Sequence, residues 1–447
     1  MSRLGLKVRI LERSATFGAR GSTLLLAPNG QRALKELCPD VRFDLESIGQ
    51  PIQSDKREII SLGRNYTLSL FYKNNTQSSN CSFGNDPLLF PWWDVRNILL
   101  DLLPSNVSVI TNCKVESFQY HRDDEIETGS SDWKSTHISV ITSNGQRYKS
   151  KLLIAADGIG SSIRKALNLS APVSEGITTT RGSFTVSDEN YHGLRVLAGH
   201  NDTVAVTVTA PGTRSERRLV LCTFMGLNRV CWSAVEPSHL VTHEKISDRI
   251  SHFPTAFIPE LFRLSSTESS HVTESLSYIR LPDSPWAGIL ARFGHDEVIS
   301  KLEEERIYGV VPEDESGFGG GRRISLIGDA AHAMPPNAGQ GASMAFEDVV
   351  QLCRNMKKML NLHHFQKPHL QIVIDQDGKN EEGLLHAPSD LPVYTFLDNE
   401  NEVDRFIKDF ERQRMRRVRV IHEDQTGSAM TTRWWTPAFQ KWVFDGI

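Results

Sequence analysis

Two aspartates set beside glycines are the residues best suited to hold a ligand. Asp329 follows the apolar run Ile324, Leu326 and Ile327, which predicts a strand, and opens Ala330-Ala331-His332-Ala333-Met334-Pro335-Pro336-Asn337-Ala338-Gly339-Gln340-Gly341-Ala342. A carboxylate at a strand end can accept hydrogen bonds from ligand hydroxyls. Gly339 and Gly341 leave backbone N–H groups uncovered, and the helix expected next turns its positive end out of the loop, so an electron-rich ligand fits there. Asp157 lies in Leu153-Ile154-Ala155-Ala156-Asp157-Gly158-Ile159-Gly160-Ser161-Ser162-Ile163-Arg164. Small residues after a buried strand admit close backbone approach, Asp157 can bind hydroxyls or order the loop, and Arg164 can reach phosphate. Without any ligand, a strand-to-helix crossover and a β-turn account for the same punctuation.

A third acid, Glu12, ends Val8-Arg9-Ile10-Leu11, a short strand expected to be buried. A strand closing on an acid suits the second strand of a dinucleotide-binding βαβ unit, where the carboxylate accepts from a ribose hydroxyl. The plainer reading is a surface acid. The Gly-rich fingerprint of such a unit lies ~20 residues before its acid, but only eleven residues precede Glu12. The first strand and the GxGxxG loop are therefore expected to be absent. Arg20, in a loop, and Arg96, near the start of a helix with Asp94 and Asp101, are also candidates, each equally explained as a surface arginine.

Several elements must position these residues. Ala342, Ala345, Phe346, Val349, Cys353, Met356 and Leu360 recur at helical period and predict one buried helix face. Ala33, Leu34 and Leu37 predict a helix after Pro28-Asn29-Gly30, and residues 57–72 a hairpin around Gly63-Arg64-Asn65. Short strands are expected at Val107 to Ile110, Lys114 to Tyr120, His137 to Thr142 and Lys149 to Ala155. A further set covers Ile177 to Phe184, Leu194 to Ala198, Val204 to Thr209, Arg218 to Phe224 and Val230 to Ala234, followed by helices around Ile246 to Phe253 and Phe257 to Leu264. Asn361 to Glu402 reads as an irregular insertion. Val403, Phe406, Ile407 and Phe410 return to helical period.

Composition narrows the class. The 447 residues suffice for two or three domains, and 39% hydrophobic with 23% charged residues describe an ordinary globular chain. A net charge of -4 gives no reason to expect nucleic acid. No apolar run approaches the ~18 residues of a membrane helix. Six scattered cysteines show no metal-like spacing, and a reducing, cytoplasmic setting is expected. Gly341-Ala342-Ser343-Met344-Ala345 lacks the final glycine of a nucleophile elbow.

The Asp329 and Asp157 stretches resemble the "GD" and D-G-x-x-S-x-x-R motifs of single-component FAD-dependent monooxygenases, the aromatic hydroxylases and epoxidases with a para-hydroxybenzoate-hydroxylase-like fold. Phe410-Glu411-Arg412-Gln413-Arg414-Met415-Arg416-Arg417 resembles that family's closing Y-E-x-x-R-x-x-R helix, with Phe410 replacing Tyr, and Phe318 lies near where a Trp is more usual. The resemblance spans essentially the whole chain. It implies an α/β fold: a three-layer βαβ FAD-binding domain, N-terminally truncated (1–175 and 305–430), and an inserted substrate domain on a mixed β-sheet (176–304, joined by 52–90). The aromatic tail 431–447 would dock on the protein or touch a membrane surface weakly.

The resemblance further implies that Asp329 holds the ribityl chain, while Pro336, Gly339, Gln340, Gly341 and Ala342 face the flavin pyrimidine. Asp157, Gly158 and Arg164 would lie near the pyrophosphate, Glu12 at the ribose, and Arg20 and Arg96 on the phosphate or adenosine side. Arg181, in Thr180-Arg181-Gly182, is the candidate catalytic residue at the substrate or flavin edge. His332 reads as a structural hydrogen-bonding residue rather than a base. With FAD as cofactor and NADPH or NADH as co-substrate, O2 would oxygenate a small, mostly apolar or aromatic molecule through a C4a-hydroperoxyflavin. Two alternatives stay open: a flavin oxidase or reductase without oxygen transfer, and an incomplete, inactive flavoprotein that binds FAD weakly.

Overall fold

A computed structural model describes residues 5–18, 23–39, 41, 45, 48–62, 66–73, 87–121, 137–167, 169–199, 203–210, 218–241, 246–249, 253–267, 271–280, 323–334, 339–365, 397 and 399–426. Arg20, Gly63 to Asn65, Phe318, Pro335, Pro336 and the tail 431–447 lie outside these residues.

The largest element is a nine-stranded sheet. From one edge its strands run His271–Ile279, Val173–Thr185, Arg229–Pro237, Leu219–Met225, Thr203–Thr209, Tyr66–Lys73, Gln50–Leu62, Leu88–Pro91 and Thr23–Leu26. Alternation along each strand gives the sheet two different faces. One carries Phe184, Val206, Val208, Val220, Cys222, Phe224, Val230 and Trp232 into a core shared with Phe257, Leu261 and Leu264 of the Phe257–Thr267 helix and Leu194 of the Asp188–Ala198 helix. Gly182 belongs to this face because a Cβ there would fall inside the Trp232 ring. The indole Nε1–H donates to Ser265 Oγ at 3.0 Å.

The second layer is built on parallel pairing. Val8–Leu11 pairs with Val107–Ile110, and Leu153–Ala155 with Ile324–Leu326. Three helices lie beside it: Pro28–Leu37, Gly341–Phe365 and Glu400–Thr426. Gly30 lets the first two cross closely, since a Cβ there would lie 2.9 Å from the Ser343 Cα and 2.5 Å from its Oγ.

Several expectations are corrected. Leu194 to Ala198 is helix, not strand: the Ser187 hydroxyl caps the Asn190 N–H, Asp188 and Glu189 occupy the first turn, and Gly199 ends the helix at φ 140°. These caps outweigh a five-residue apolar run that fits either period. Lys149 to Ala155 splits in two, because Arg147–Ser150 pairs antiparallel with the His137 strand whereas Leu153–Ala155 pairs with Ile324–Leu326. Val8–Leu11 is not buried; it pairs on one side among the described residues, and Ile10 is 37% exposed. Of the helix expected from Ile246 to Phe253, Ile246–Arg249 is described, and 250–252 lie outside the described residues. The His271–Ile279 edge strand was not anticipated, its polar residues masking the period.

The Gly341–Phe365 helix also departs from its predicted face. Of the seven residues assigned to that face only Met356 is fully buried, while Ser343, Met344, Glu347 and Asp348 are more deeply enclosed. Met344, Val350, Leu352 and Met359 share the buried side with the ionic pair Glu347 and Asp348, so the face is rotated from the predicted one.

Among the described residues no helix is long and apolar enough to cross a membrane, and no His/Cys/Asp/Glu cluster could hold a metal ion. Gly30→Ala is expected to destabilise the fold by ~1–3 kcal/mol through overpacking against Ser343. A urea midpoint unchanged from the parent would contradict this packing.

Candidate cofactor site

The Gly328–Asp329 turn is held from behind. Gly328 adopts φ 57°, its N–H donates to Asp348 Oδ2 at 2.8 Å, and its carbonyl accepts from the Ala331 and His332 amides. His332 Nε2 meets the same Asp348 oxygen at 2.6 Å, which is the structural role expected for it. Arg164 Nη1 donates to the Ala330 carbonyl at 3.0 Å, and Arg280 donates to that of Ala331. Both guanidiniums are buried. Burial lowers their pKa values, Arg280 to about 10 with the charge of Arg164 adding to the effect.

Asp329 faces the other way. Its side chain is exposed and makes no hydrogen bond to the described residues, yet surrounding protein raises its pKa by desolvation, against the charge of His332. A carboxylate that is open to water and still desolvated lies in a recess. A carboxylate so placed can accept hydrogen bonds.

The neighbouring loop is held by its own side chain. Gly339 adopts φ 61°, and a Cβ there would come within 2.7 Å of Leu25. Gln340 is buried, its Oε1 accepting from Asn29 Nδ2 at 3.1 Å. With Gln340 turned inward, Gly341 and Ala342 form the half-exposed start of the helix, where first-turn N–H groups lack intrahelical acceptors.

Both loops rest on one buried ionic cluster. Asp348 Oδ1 accepts from Arg414 Nε at 2.7 Å. Glu347 Oε2 accepts from Arg414 Nη1 at 2.9 Å and Arg417 Nε at 3.1 Å, and Oε1 from Arg417 Nη2 at 2.9 Å and Asn29 Nδ2 at 2.7 Å. Burial pushes both carboxyls up. For Glu347 the Arg417 hydrogen bond and the Arg414 charge outweigh it, for Asp348 the His332 and Arg414 charges do, and both stay below the ordinary carboxylate range.

The remaining candidates serve the same region differently. Asp157 Oδ2 accepts from Ser162 N at 2.8 Å, Ser162 Oγ at 3.2 Å and Ile163 N at 3.3 Å, so it caps the Ser162–Ala166 helix, with Gly158 at φ 75° in the turn. Arg164, expected to reach phosphate, is instead 1% exposed, with Nη1 donating to the Ala330 carbonyl and Nη2 to that of Ile159. Glu12 Oε1 accepts from Ser14 N at 2.7 Å, and Arg96 Nη2 donates to Phe17 O at 2.8 Å and Gly18 O at 3.1 Å. Glu12 and Arg96 are thus brought to one loop, residues 12–18, and the Arg96 guanidinium also lies over the Phe17 ring. Arg181 is on the sheet, and Arg20 and Pro336 fall outside the described residues. Asn29, Glu347, Asp348 and Arg280 were not recognised as site residues, because the partners that give them their roles lie far along the chain.

Residues 286–364 match the family profile described as "FAD binding domain". Over 440 residues the chain is 24% identical to the FAD-dependent monooxygenase atmM of Aspergillus flavus, covering 95% of this chain and 73% of that protein. The chain is thus similar to FAD-dependent monooxygenases over nearly its whole length. A chloroplastic zeaxanthin epoxidase from an Oncidium hybrid cultivar is 28% identical over 224 residues, which is 49% of this chain and 27% of the epoxidase. The fold is shared with the crystal structure of CtdE in complex with FAD, at TM-score 0.60 and 16% identity, covering 99% of this chain and 92% of that one. It is shared also with Klebsiella pneumoniae HpxO complexed with FAD and uric acid, at TM-score 0.53 and 15% identity, covering 98% and 93%.

The residues present in this monooxygenase relative fit FAD. Asp329 offers a recessed acceptor for ribityl hydroxyls, and the Gly339–Ala342 segment offers amide donors on a helix start, suited to negative charge.

Behind the site, Glu411 is titratable in an unusual range. Burial raises its pKa to about 8, against the Ser325 hydrogen bond and the Arg280 charge. Its unfolded value is ~4.3. Between these pH values the folded chain holds a proton that the unfolded chain has released, so stability falls as pH rises. Glu411→Gln should therefore lose less stability than the parent between pH 5 and pH 8, read from urea midpoints. Parallel losses would contradict the assignment.

Proposed function

We propose that the chain is an NAD(P)H- and O2-dependent flavin monooxygenase acting on a small, mostly apolar molecule. The observation carrying this reading is the shared anchoring of the Asp329 recess and the Gly339–Ala342 segment, which makes one preorganised surface for a flavin. FAD, when bound, supplies electron acceptance from the nicotinamide and activation of O2, chemistry that belongs to the cofactor. The chain's residues hold and orient it. Asp329 would take ribityl hydroxyls, the amides from Gly339 to Ala342 would stabilise negative charge on the pyrimidine edge, and Glu12 and Arg96 would shape the loop at the adenosine end.

The sheet face turned away from the Trp232 core supports the substrate assignment. Arg181, Ser233 and Leu221 lie side by side on it, next to the row of Thr179, Val235 and Leu219. Further along, Thr223 and Cys231 reach Thr23 and Leu25, and Leu25 touches Gly339. This face therefore adjoins the flavin loop. Burial lowers the Arg181 pKa, its Nη1 donates to Ser275 Oγ at 2.7 Å, and it has no carboxylate partner among the described residues. A desolvated cation among leucine, valine and hydroxyl groups suits an apolar substrate bearing one oxygen acceptor.

Division into a cofactor part (1–175 and 305–430) and a substrate part (176–304 with 52–90) belongs to the same proposal, as does a reducing compartment, in keeping with the unbridged thiols of Cys113, Cys222 and Cys231.

The test is NAD(P)H consumption with added FAD across a panel of phenols and prenylated aromatics, scoring oxygenated product against free peroxide. Oxygenated product is expected. Peroxide alone would establish an oxidase, and no consumption an inactive flavoprotein. Arg181→Ala should lower kcat/KM ~10–100-fold, the scale of one hydrogen bond to a charged group, while leaving the FAD Kd unchanged. An unaltered kcat/KM would remove Arg181 from the substrate site.

A further inference from the structure

We infer that Asn29, from the first turn of the Pro28–Leu37 helix, is a positioning residue for the flavin-facing amides. The inference rests on the flavin reading above. Asn29 is fully buried, and its single amide nitrogen donates to two side-chain oxygens: the carboxamide Oε1 of Gln340 at 3.1 Å and the carboxylate Oε1 of Glu347 at 2.7 Å. Both of its N–H donors are thereby used.

The consequence lies in the direction of the loop backbone. Gln340 stands between Gly339 and Gly341, and its side chain is 1% exposed, with Oε1 on Asn29. With its side chain fixed inward, Gln340 restrains the backbone between the two flanking glycines. Gly339 at φ 61° is held against Leu25, and Gly341 begins the helix, so neither has a side chain that could fix the loop in place of Gln340. Asn29 is itself aimed by Glu347, which Arg414 and Arg417 hold in place with three further hydrogen bonds. The ordering runs from the C-terminal helix through Glu347 and Asn29 to Gln340. Asn29 touches no reacting group and acts only through Gln340.

A double-substitution cycle on FAD affinity tests this. FAD Kd and the absorption spectrum of bound flavin are measured for the parent, Asn29→Ala, Gln340→Ala and the double variant, with thermal unfolding to confirm that each is folded. Each single substitution should raise the Kd about tenfold, which is about 1.4 kcal/mol, and shift the bound-flavin absorption bands. The double variant should be no worse than either single, because both remove the same link. If Asn29→Ala fails to fold, Gln340→Ala still carries the test through its Kd and spectrum. Unchanged FAD affinity and spectrum in either single variant overturns the inference alone, as does multiplication of the two effects. A parent chain that binds no FAD overturns the flavin reading and this inference with it.

Discussion

Two consecutive carboxylates, Glu347 and Asp348, are buried in the second turn of the Gly341–Phe365 helix, and the site depends on them. Ionised groups removed from water cost several kcal/mol each unless charge and hydrogen bonds compensate them. Here Arg414 and Arg417, Asn29, His332 and the Gly328 amide supply that compensation. The same contacts fix the Gly328–Asp329 turn from one side and, through Asn29, the Gly339–Gly341 loop from the other. Binding surfaces are most useful when their donors are set before the ligand arrives, and a buried ionic cluster imposes such rigidity on two loops that glycine would otherwise leave free.

The arrangement explains why so few polar groups face the ligand. Most charged residues near the site are turned inward as supports: Arg164 and Arg280 hold the Asp329–His332 turn by its carbonyls, and Asp157 caps a neighbouring helix. Asp329, by contrast, is exposed and makes no hydrogen bond to the described residues. Such an economy suits a cofactor that brings its own reactivity. Under the proposed function the covering sheet has a separate task, offering the substrate a face of apolar and hydroxyl side chains with the desolvated Arg181.

How much of this was legible in the sequence follows from the range of each interaction. The Asp329 and Asp157 loops were legible because strand, glycine and acid lie within a few residues of one another. Glu347 and Asp348 stood in plain view, but their partners are 66 to 70 residues downstream, and Gln340 is met by a side chain 311 residues upstream. No local pattern carries such pairings. Arg164 was assigned to phosphate because arginines after such loops often reach one; its burial depends on how the Ala330 turn packs against it. The Asp188–Ala198 helix was missed although its caps are local, because the apolar run inside it is short enough for either period.

The central claim is that a single cluster holds both ligand-facing loops. Amide hydrogen exchange, compared between the parent chain and Arg414→Met, reads this directly. The account predicts that residues 328–332 and 339–342 lose protection together, while residues 219–235 of the sheet keep theirs. Retained protection at both loops, or loss at only one, would contradict it.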